Sequence, residues 1–262
     1  MKSLYFAFLT ISVVFFYSPT SLSKPVPLEY FASLPDVSNL RMSPDGQHVV
    51  FQMKVDTKEH QGSLIQLYNL ESKVKKSVAF TNNEKYTVIS LNWANNDTVL
   101  VGAKFPASRY GVPTTETRLM KLDIHTKSLT NVIPKRVLKK MNWISNILTK
   151  VIDYLPHDDN HILMSVAGFA QGPEETVLKI DLSGNGQSKI IQRTKADVIG
   201  WQTDNGGNVR IAIARNDAAY RILEKKPDGS GYRTLWEFEA FSEEAVWPLS
   251  FGKSNDLLYV KA

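Results

Sequence analysis

The sequence has no cysteine among its 262 residues. This absence excludes a disulfide framework, a thiolate nucleophile and a zinc site built from cysteines. The stability of the fold must therefore come from the packing of other side chains. Hydrophobic residues make up 43% of the chain and aromatic residues 10%, which is an ordinary supply for a globular core.

Charged side chains are nearly missing from the N-terminus, where Lys2 is followed by an uncharged run from Ser3 to Ser23. The apolar centre of this run, Leu4–Tyr17, is shorter than the roughly 20 residues of a membrane-spanning helix, and the layout is typical of a signal peptide. We therefore expect residues 1–23 to be a signal peptide. The mature chain, residues 24–262, is then exported, periplasmic or secreted, and has no integral membrane span. An uncleaved N-terminal anchor is the alternative.

A strong excess of one charge is also lacking, because the formal net charge is only +5. The densest basic patch has Trp143 close behind it but no repeated alternation of basic and aromatic residues. Its members are Lys135, Arg136, Lys139 and Lys140. Together with the expected export, this pattern predicts that nucleic acid is not a partner.

A unit of strand, turn and strand recurs five times along the chain. Each copy joins two apolar segments through a turn rich in Asp, Asn, Pro or Gly. The copies are Leu40–Phe51, Leu91–Val101, Ile152–Met164, Ile199–Ile213 and Leu249–Val260. Their marker aspartates, Asp45, Asp97, Asp159, Asp204 and Asp256, are 52, 62, 45 and 52 residues apart. A period in this range indicates a repeat architecture.

A second hairpin is predicted between consecutive copies, so that each repeat holds four strands. These hairpins turn at residues 69–72, 123–126, 181–184 and 227–230. Four short strands joined by Asn, Asp and Gly turns are the pattern of a propeller blade. We predict an all-β fold, a partial β-propeller with blades at about residues 36–80, 86–134, 150–194 and 197–240 and a fifth that begins over 245–262. Propellers close with about four to eight whole blades, and a fifth blade of only two strands leaves a sheet edge unpaired, so we interpret the ring as incomplete.

Three finer expectations follow from this rhythm. Aromatic residues at related places in the repeats should pack between the blades. They are Phe51, Trp93, Tyr154, Trp201 and Phe251. The segment Val137–Val151 is the best helix candidate, and Lys104–Thr114 is expected to be a loop inserted in the second blade.

No catalytic group is predicted in this chain. The G-x-S-x-G elbow of a serine hydrolase is missing, and Ser250 in the nearest approximation, PLSFG, is predicted to lie in a strand. A serine nucleophile also needs a histidine base. The five histidines all fall in or next to predicted turns: His48, His60, His125, His157 and His161. We therefore assign no catalytic or cofactor-binding residue and expect no cofactor.

No metal site is predicted either. A pair formed by His157 and His161 is the alternative, which would require a helix, because residues four apart share a helix face. Pro156 and the hairpin rhythm favour a turn instead. The segments Asp204–Gly207 and Asp228–Gly231 have neither EF-hand nor P-loop spacing, and they are predicted to be hairpin turns.

Two segments of the chain resemble a known family. Tyr30–Phe51, which reads YFASLPDVSNLRMSPDGQHVVF, is similar to the opening of bacterial exported S9 peptidases, the prolyl oligopeptidase-like group of dipeptidyl aminopeptidases and acylaminoacyl peptidases. Val151–Met164, VIDYLPHDDNHILM, is similar to a mid-propeller segment of that group. The resemblance implies a propeller that caps a C-terminal α/β-hydrolase domain and limits which peptides reach its Ser, Asp and His. None of these three catalytic residues lies in this chain.

The first hypothesis for function is therefore the propeller part of an exported serine peptidase. The chain alone is expected to be inactive, and peptide substrates are met through the missing hydrolase domain. The alternative is a non-enzymatic, TolB-like periplasmic propeller that binds protein partners. Self-association through unpaired blade edges is a further partner hypothesis.

Overall fold

The chain folds back on itself at each predicted turn, and consecutive strands pair antiparallel in small sheets. The computed structural model describes residues 36–57, 61–184 and 188–262, so the predicted signal peptide and His60 lie outside the described residues. Over the described residues, three sheets contain four sequential strands each, a further sheet contains four sequential strands and one additional short strand, and the last contains two. The prediction of an all-β partial propeller, with four four-stranded blades and the start of a fifth, is confirmed.

The bounds of the strands follow the repeat. The first blade contains β1 (Val37–Met42), β2 (His48–Asp56), β3 (Gln61–Asn69) and β4 (Lys75–Thr81). The second contains β5 (Thr87–Trp93), β6 (Thr98–Arg109), β7 (Val112–Asp123) and β8 (Leu129–Asn131), followed by the short helix α1 (Lys135–Leu138) and by β9 (Ile147–Leu148), which pairs parallel with β7. The third contains β10 (Val151–Asp153), β11 (His161–Ala167), β12 (Glu175–Asp181) and β13 (Ser188–Gln192). The fourth contains β14 (Val198–Thr203), β15 (Val209–Asn216), β16 (Ala219–Lys225) and β17 (Tyr232–Glu239), and the fifth sheet pairs β18 (Trp247–Phe251) with β19 (Leu258–Lys261).

The second strands of the second and third blades carry buried apolar residues on both faces, because each lies between two neighbouring sheets. In β6, Val101 packs toward the first blade while Leu100 packs toward the third. In β11, Ile162 faces the second blade and Leu163 faces the fourth. Successive side chains of a strand point to opposite faces, so each such strand contributes to two seams of the core.

The first strands of the blades lie on the inner side of the array. β1 contacts β5, and β10 contacts β14. The Arg41 Nε atom on β1 donates to Asn92 Oδ1 on β5 at 3.3 Å, and in the turns after these strands the Asp45 backbone amide donates to Asn96 Oδ1 at 3.1 Å. The fourth strands are consequently on the outer rim.

Two of the finer expectations are wrong. Lys104–Thr114 is not a loop, because β6 and β7 stay paired in register as far as Arg109 and Val112. Val137–Val151 is not a helix, because α1 ends at Leu138 and the segment then runs to β9. No helix in the described ranges is long and apolar enough to cross a membrane.

The aromatic prediction holds for most of its members. Trp93, Trp201 and Phe251 are buried, and Phe51 is half-buried. Trp93 Nε1 donates to the carbonyl of Arg41 at 3.0 Å, and Trp201 Nε1 donates to that of Glu175 at 2.8 Å, so each indole also bridges to the preceding blade. The expectation is wrong for Tyr154, which is 37% exposed because it follows the end of the short strand β10.

Candidate functional site

The marker aspartates lie at one end of the sheets, because each of them is in the turn between the first two strands of its blade. We call this end the marker face; it carries the turns at residues 43–47, 94–97, 154–160, 204–208 and 252–257. The turns between third and fourth strands lie on the same face, since the strands are antiparallel throughout. The opposite face carries the turns between second and third strands and the connections between blades.

A cleft of about 860 Å³ opens on the marker face between the third and fourth blades. Leu163 and Val209 form its apolar floor, and they belong to the buried cluster that joins the two blades. At the inner end the cleft is bounded by Leu155, Gly207 and Asp256, and the turn after β16 bounds the outer end. Its volume is in the range of pockets that bind small ligands.

The inner wall of the cleft is built on a tight turn around Asp204. The side chain of Asp204 is only 4% exposed, and its Oδ1 atom accepts hydrogen bonds from the backbone amides of Gly206 at 2.9 Å and Asn208 at 3.0 Å, as expected of the predicted hairpin turn. Gly207 has a φ of +75°, and a Cβ atom there would lie 2.5 Å from Leu155 Cδ2. Glycine suits this position, because another residue would strain the left-handed backbone and displace the Leu155 side chain.

Beneath this turn, the charges of the fourth blade neutralise one another. Arg210 is 2.7 Å from Glu224 and 3.6 Å from Asp204, and Arg233 is 2.5 Å from Glu224. Burial acts to raise the pKa of Glu224, but hydrogen bonds from Arg210 and Arg233 outweigh it and lower the pKa below its ordinary value. Two cations thus face two carboxylates, with no net charge.

A second neutralised cluster lies on the third blade. Asp158 accepts from Lys179 Nζ at 2.6 Å and is 2.8 Å from His161 Nδ1. The hydrogen bond from Lys179, followed by that with His161, lowers the pKa of Asp158 from 3.8 to about 2. This carboxylate therefore stays ionised and paired at neutral pH. His157 and Asp158 line a smaller pocket of about 230 Å³. This pocket shares four residues with the large cleft, namely Leu155, Lys179, Gly206 and Gly207.

The remaining charges of the cleft have no such partners. In the residues that the structure describes, no ion pair includes Lys225, Lys226 or Asp256. The Asp256 carboxylate accepts a hydrogen bond from the hydroxyl of Ser254, at 3.2 Å. Asp228 accepts the amide of Ser230 at 2.9 Å, and this hydrogen bond lowers its pKa. The charges of these side chains are therefore available to bind a ligand: Lys225, Lys226, Asp228 and Asp256.

The fold does not bring together the described histidines that the sequence analysis considered as candidate bases or metal ligands. His48 Nε2 is 3.0 Å from the side-chain nitrogen Nδ2 of Asn69, and His125 Nε2 is 2.9 Å from Asp97 Oδ1 on the second blade. His161 lies on the third blade beside Asp158. No hydrogen bond joins a serine hydroxyl to a histidine ring within residues 36–57, 61–184 and 188–262.

Ser250 and the histidine pair occupy the elements predicted for them. Ser250 is in strand β18. His157 is in the turn after β10 and His161 opens β11, so the two do not share a helix face. Across the described ranges, no group of three or more His, Cys, Asp and Glu is placed to hold a metal ion.

The opposite face carries the long hairpin β6–β7 and its own charge cluster. Glu116 pairs with Arg109 at 3.1 Å and also with Arg118. Both arginines donate in addition to backbone carbonyls of residues 144 and 145, which fastens the connecting segment to the hairpin. Burial lowers the pKa of Arg118, which Glu116 partly opposes. These contacts account for the hairpin without any ligand.

Sequence reasoning identified Asp204 and Asp256 as turn residues but did not find the cleft between them and Lys225. Its walls come from the third and fourth blades and from the first turn of the fifth sheet, so no local pattern records that they face each other. The nearest signal is the pair Lys225-Lys226 directly before a predicted turn on the marker face. Two adjacent lysines indicate a binding cleft only when the packing of the neighbouring blade is known.

Comparison with known proteins gives a structural likeness only. No family profile matches the sequence, and no curated protein matches it. A solved structure from a study of two prolyl endopeptidases matches 83% of this chain with a TM-score of 0.52 and 12% identity. The chain has the propeller fold of that structure. Prolyl oligopeptidase B from Galerina marginata (TM-score 0.49, 11% identity, 82% of this chain) and TolB from Acinetobacter baumannii (0.38, 12%, 81%) also match.

The chain is much shorter than the proteins it matches. It spans 31% of the prolyl endopeptidase chain, 28% of the Galerina marginata enzyme and 48% of TolB. The S9 peptidases found in this comparison are thus matched over their propeller-sized part only.

Proposed function

We propose that this chain is the N-terminal propeller part of an exported S9-type serine peptidase, where it limits the access of peptides to a hydrolase domain. The observation that carries the proposal is the propeller fold shared with a prolyl endopeptidase structure at a TM-score of 0.52. The resemblance of Tyr30–Phe51 and Val151–Met164 to exported S9 peptidases supports it independently. In this proposal the hydrolase domain is the partner, peptides are the substrates, and the location is the periplasm or the exterior.

The arrangement of the blades suits a gate. The first strand of each blade lines the inner side of the array, so a peptide that passes along this side contacts their side chains. Arg41 and Tyr154 belong to this inner surface, and the Arg41 charge acts on the Tyr154 phenol even though burial is the larger influence and raises its pKa. The apolar seams behind the first strands hold this surface in a fixed shape, because cores packed at crystal-like density resist deformation.

The reading frame of the gene provides the first test. About 1,200 bases after the codon for Ala262 would be sequenced, a length sufficient for further blades and a hydrolase domain of ordinary size. The proposal expects an open frame that encodes further blades and a G-x-S-x-G segment. A stop codon followed by unrelated sequence would contradict it and leave the TolB-like binding module as the hypothesis.

A protein-level test asks whether the native product reacts as a serine hydrolase. The product would be isolated from its source cells with antibodies against the chain and treated with a fluorophosphonate probe, which labels activated serines. Labelling of a polypeptide that contains this propeller is the expected result. The recombinant 262-residue chain is the matched control, and we expect neither labelling nor hydrolysis of chromogenic dipeptides from it; activity that survives stringent purification would overturn that part of the proposal.

A further inference from the structure

The cleft between the third and fourth blades has the shape of a groove that runs from the inner side to the rim. Its inner end lies at the first hairpins, where Gly207 and Asp256 are found, and its outer end lies at the turn that follows Lys225. The floor is apolar over Leu163 and Val209, and the walls are polar. A groove of this kind suits an extended ligand with polar ends.

The charges that remain free in the groove are of opposite sign at its two ends. Arg210, Arg233, Asp204 and Glu224 cancel, and so do Lys179 and Asp158. At the inner end this leaves the carboxylate of Asp256. At the outer end it leaves two lysines, Lys225 and Lys226, against Asp228, which is an excess of one positive charge.

The separation of the two ends sets the length of the ligand. The outer hairpin of the fourth blade lies about two strand spacings, roughly 10 Å, from the inner hairpin of the same blade. Asp256 lies in the inner hairpin of the adjacent fifth sheet, so its separation from Lys225 is at least of this order. An extended peptide rises about 3.3 Å per residue, so about three or four residues bridge this separation. In a single amino acid the ammonium and carboxylate groups are too close to reach both ends.

We propose that this groove binds a short peptide of about three or four residues by its two free ends, with the N-terminal ammonium beside Asp256 and the C-terminal carboxylate beside Lys225. The apolar floor contacts the middle of the peptide without selecting among small side chains. The site goes beyond the proposed function, which requires no ligand on the propeller itself. A failed binding experiment therefore leaves the proposed function standing, and a failed reading-frame test leaves the groove standing.

Calorimetric titration of the full 262-residue chain with tetra-alanine tests the site. We expect N-acetylation or C-amidation of the peptide to weaken binding about fivefold each, the loss of one partly exposed charge pair. Free alanine should bind at least tenfold more weakly than tetra-alanine, because it cannot span the groove. The measurements are made at low ionic strength, where such pairs are least screened.

Variants of the two anchors assign each end of the peptide. Lys225→Gln should weaken free tetra-alanine about fivefold and have no effect on the C-amidated peptide, and Asp256→Asn should behave in the same way with the N-acetylated peptide. Lys104→Gln and Asp217→Asn are the matched controls. Both residues are exposed, Asp217 in the β15–β16 turn of the opposite face and Lys104 on β6, and neither should alter binding.

Several results would overturn the proposal. One is the absence of binding by the folded wild-type chain at millimolar tetra-alanine. Another is equal affinity for the free and capped peptides. A third is an effect of Lys225→Gln that persists on the C-amidated peptide, because the carboxylate would then not be its partner. Circular dichroism and thermal unfolding of each variant identify any change that arises from misfolding.

Discussion

Asp158 forms an ion pair with Lys179 and a hydrogen bond with His161 on the third blade, and its charge affects the stability of the fold. The side chains of Asp158, His161 and Lys179 are each about one third exposed, so their interactions are partly screened by solvent. The lowered pKa of Asp158, about 2 against 3.8, nevertheless means that folding favours its ionised form. A carboxylate of this kind stabilises the folded state only where it is ionised in that state.

Replacing Asp158 with asparagine should destabilise the protein at neutral pH and have little effect in strong acid. The pKa shift corresponds to roughly 2.4 kcal/mol, which solvent screening reduces to about 1 kcal/mol. Because the folded-state pKa is depressed, this stability is present above pH 4 and is lost as the pH falls through about 2. Urea unfolding of both proteins between pH 2.5 and pH 7 measures the difference.

The control for this prediction is Asp217→Asn, at an exposed position of the β15–β16 turn with a φ of +54°, which asparagine also tolerates. Its free energy of unfolding should stay close to that of the wild type at all pH values. A destabilisation by Asp158→Asn that is as large at pH 2.5 as at pH 7 would contradict the role given to the carboxylate.

At the scale of the element, the segment that connects the second and third blades shows where sequence reasoning failed. Its backbone partners are distant in sequence. The amide of Asn142 donates to Gly168 at 2.7 Å, and the carbonyl of Asn146 accepts from Thr117 at 2.6 Å. The helix expected over Val137–Val151 would have satisfied these groups locally, but residues in or next to the neighbouring strands supply the partners instead.

Gly168 is the position on which this connection depends most. Its φ is +117°, and a Cβ atom there would lie 2.3 Å from the carbonyl oxygen of Trp143. Gly168→Ala should therefore combine backbone strain with a steric clash and lower the free energy of unfolding by about 3 kcal/mol. Urea denaturation at neutral pH checks this value.

Gly229 offers a matched control, because its φ is +73° and nothing lies within 4 Å of a Cβ atom there. Gly229→Ala should cost about 1 kcal/mol, the price of the left-handed backbone alone. If the two substitutions lowered the free energy of unfolding equally, the close approach of the connecting segment to Gly168 would not contribute to the effect of Gly168→Ala.

For the whole molecule, the sequence predicts the architecture better than the site. The repeat of hairpins and marker turns is local, so it can be read from alternation and turn residues. Contacts across the seams join residues far apart in the chain: Trp201 meets Glu175, and Asn95 Nδ2 donates to the carbonyl of Asp159 at 2.5 Å. The groove between the third and fourth blades arises from such a seam, and no local pattern indicates it.

An array of blades in which each packs on its neighbours should lose stability locally when one seam is weakened. Leu163 is 1% exposed in the seam between the third and fourth blades, and Leu91 is fully buried in the seam between the first and second. Each substitution by alanine should cost about 3 kcal/mol, because the chemistry is the same and both sites are closely packed.

The location of the effect distinguishes a nearest-neighbour array from a single cooperative unit. Hydrogen exchange should show that Leu163→Ala lowers amide protection mainly in β11, β12, β15 and β16, whereas Leu91→Ala lowers it mainly in β2, β3, β6 and β7. Because the two changes remove the same groups, each serves as the control for the other. A uniform loss of protection in both variants would instead mean that all blades unfold together, so that the seams transmit stability over the whole propeller.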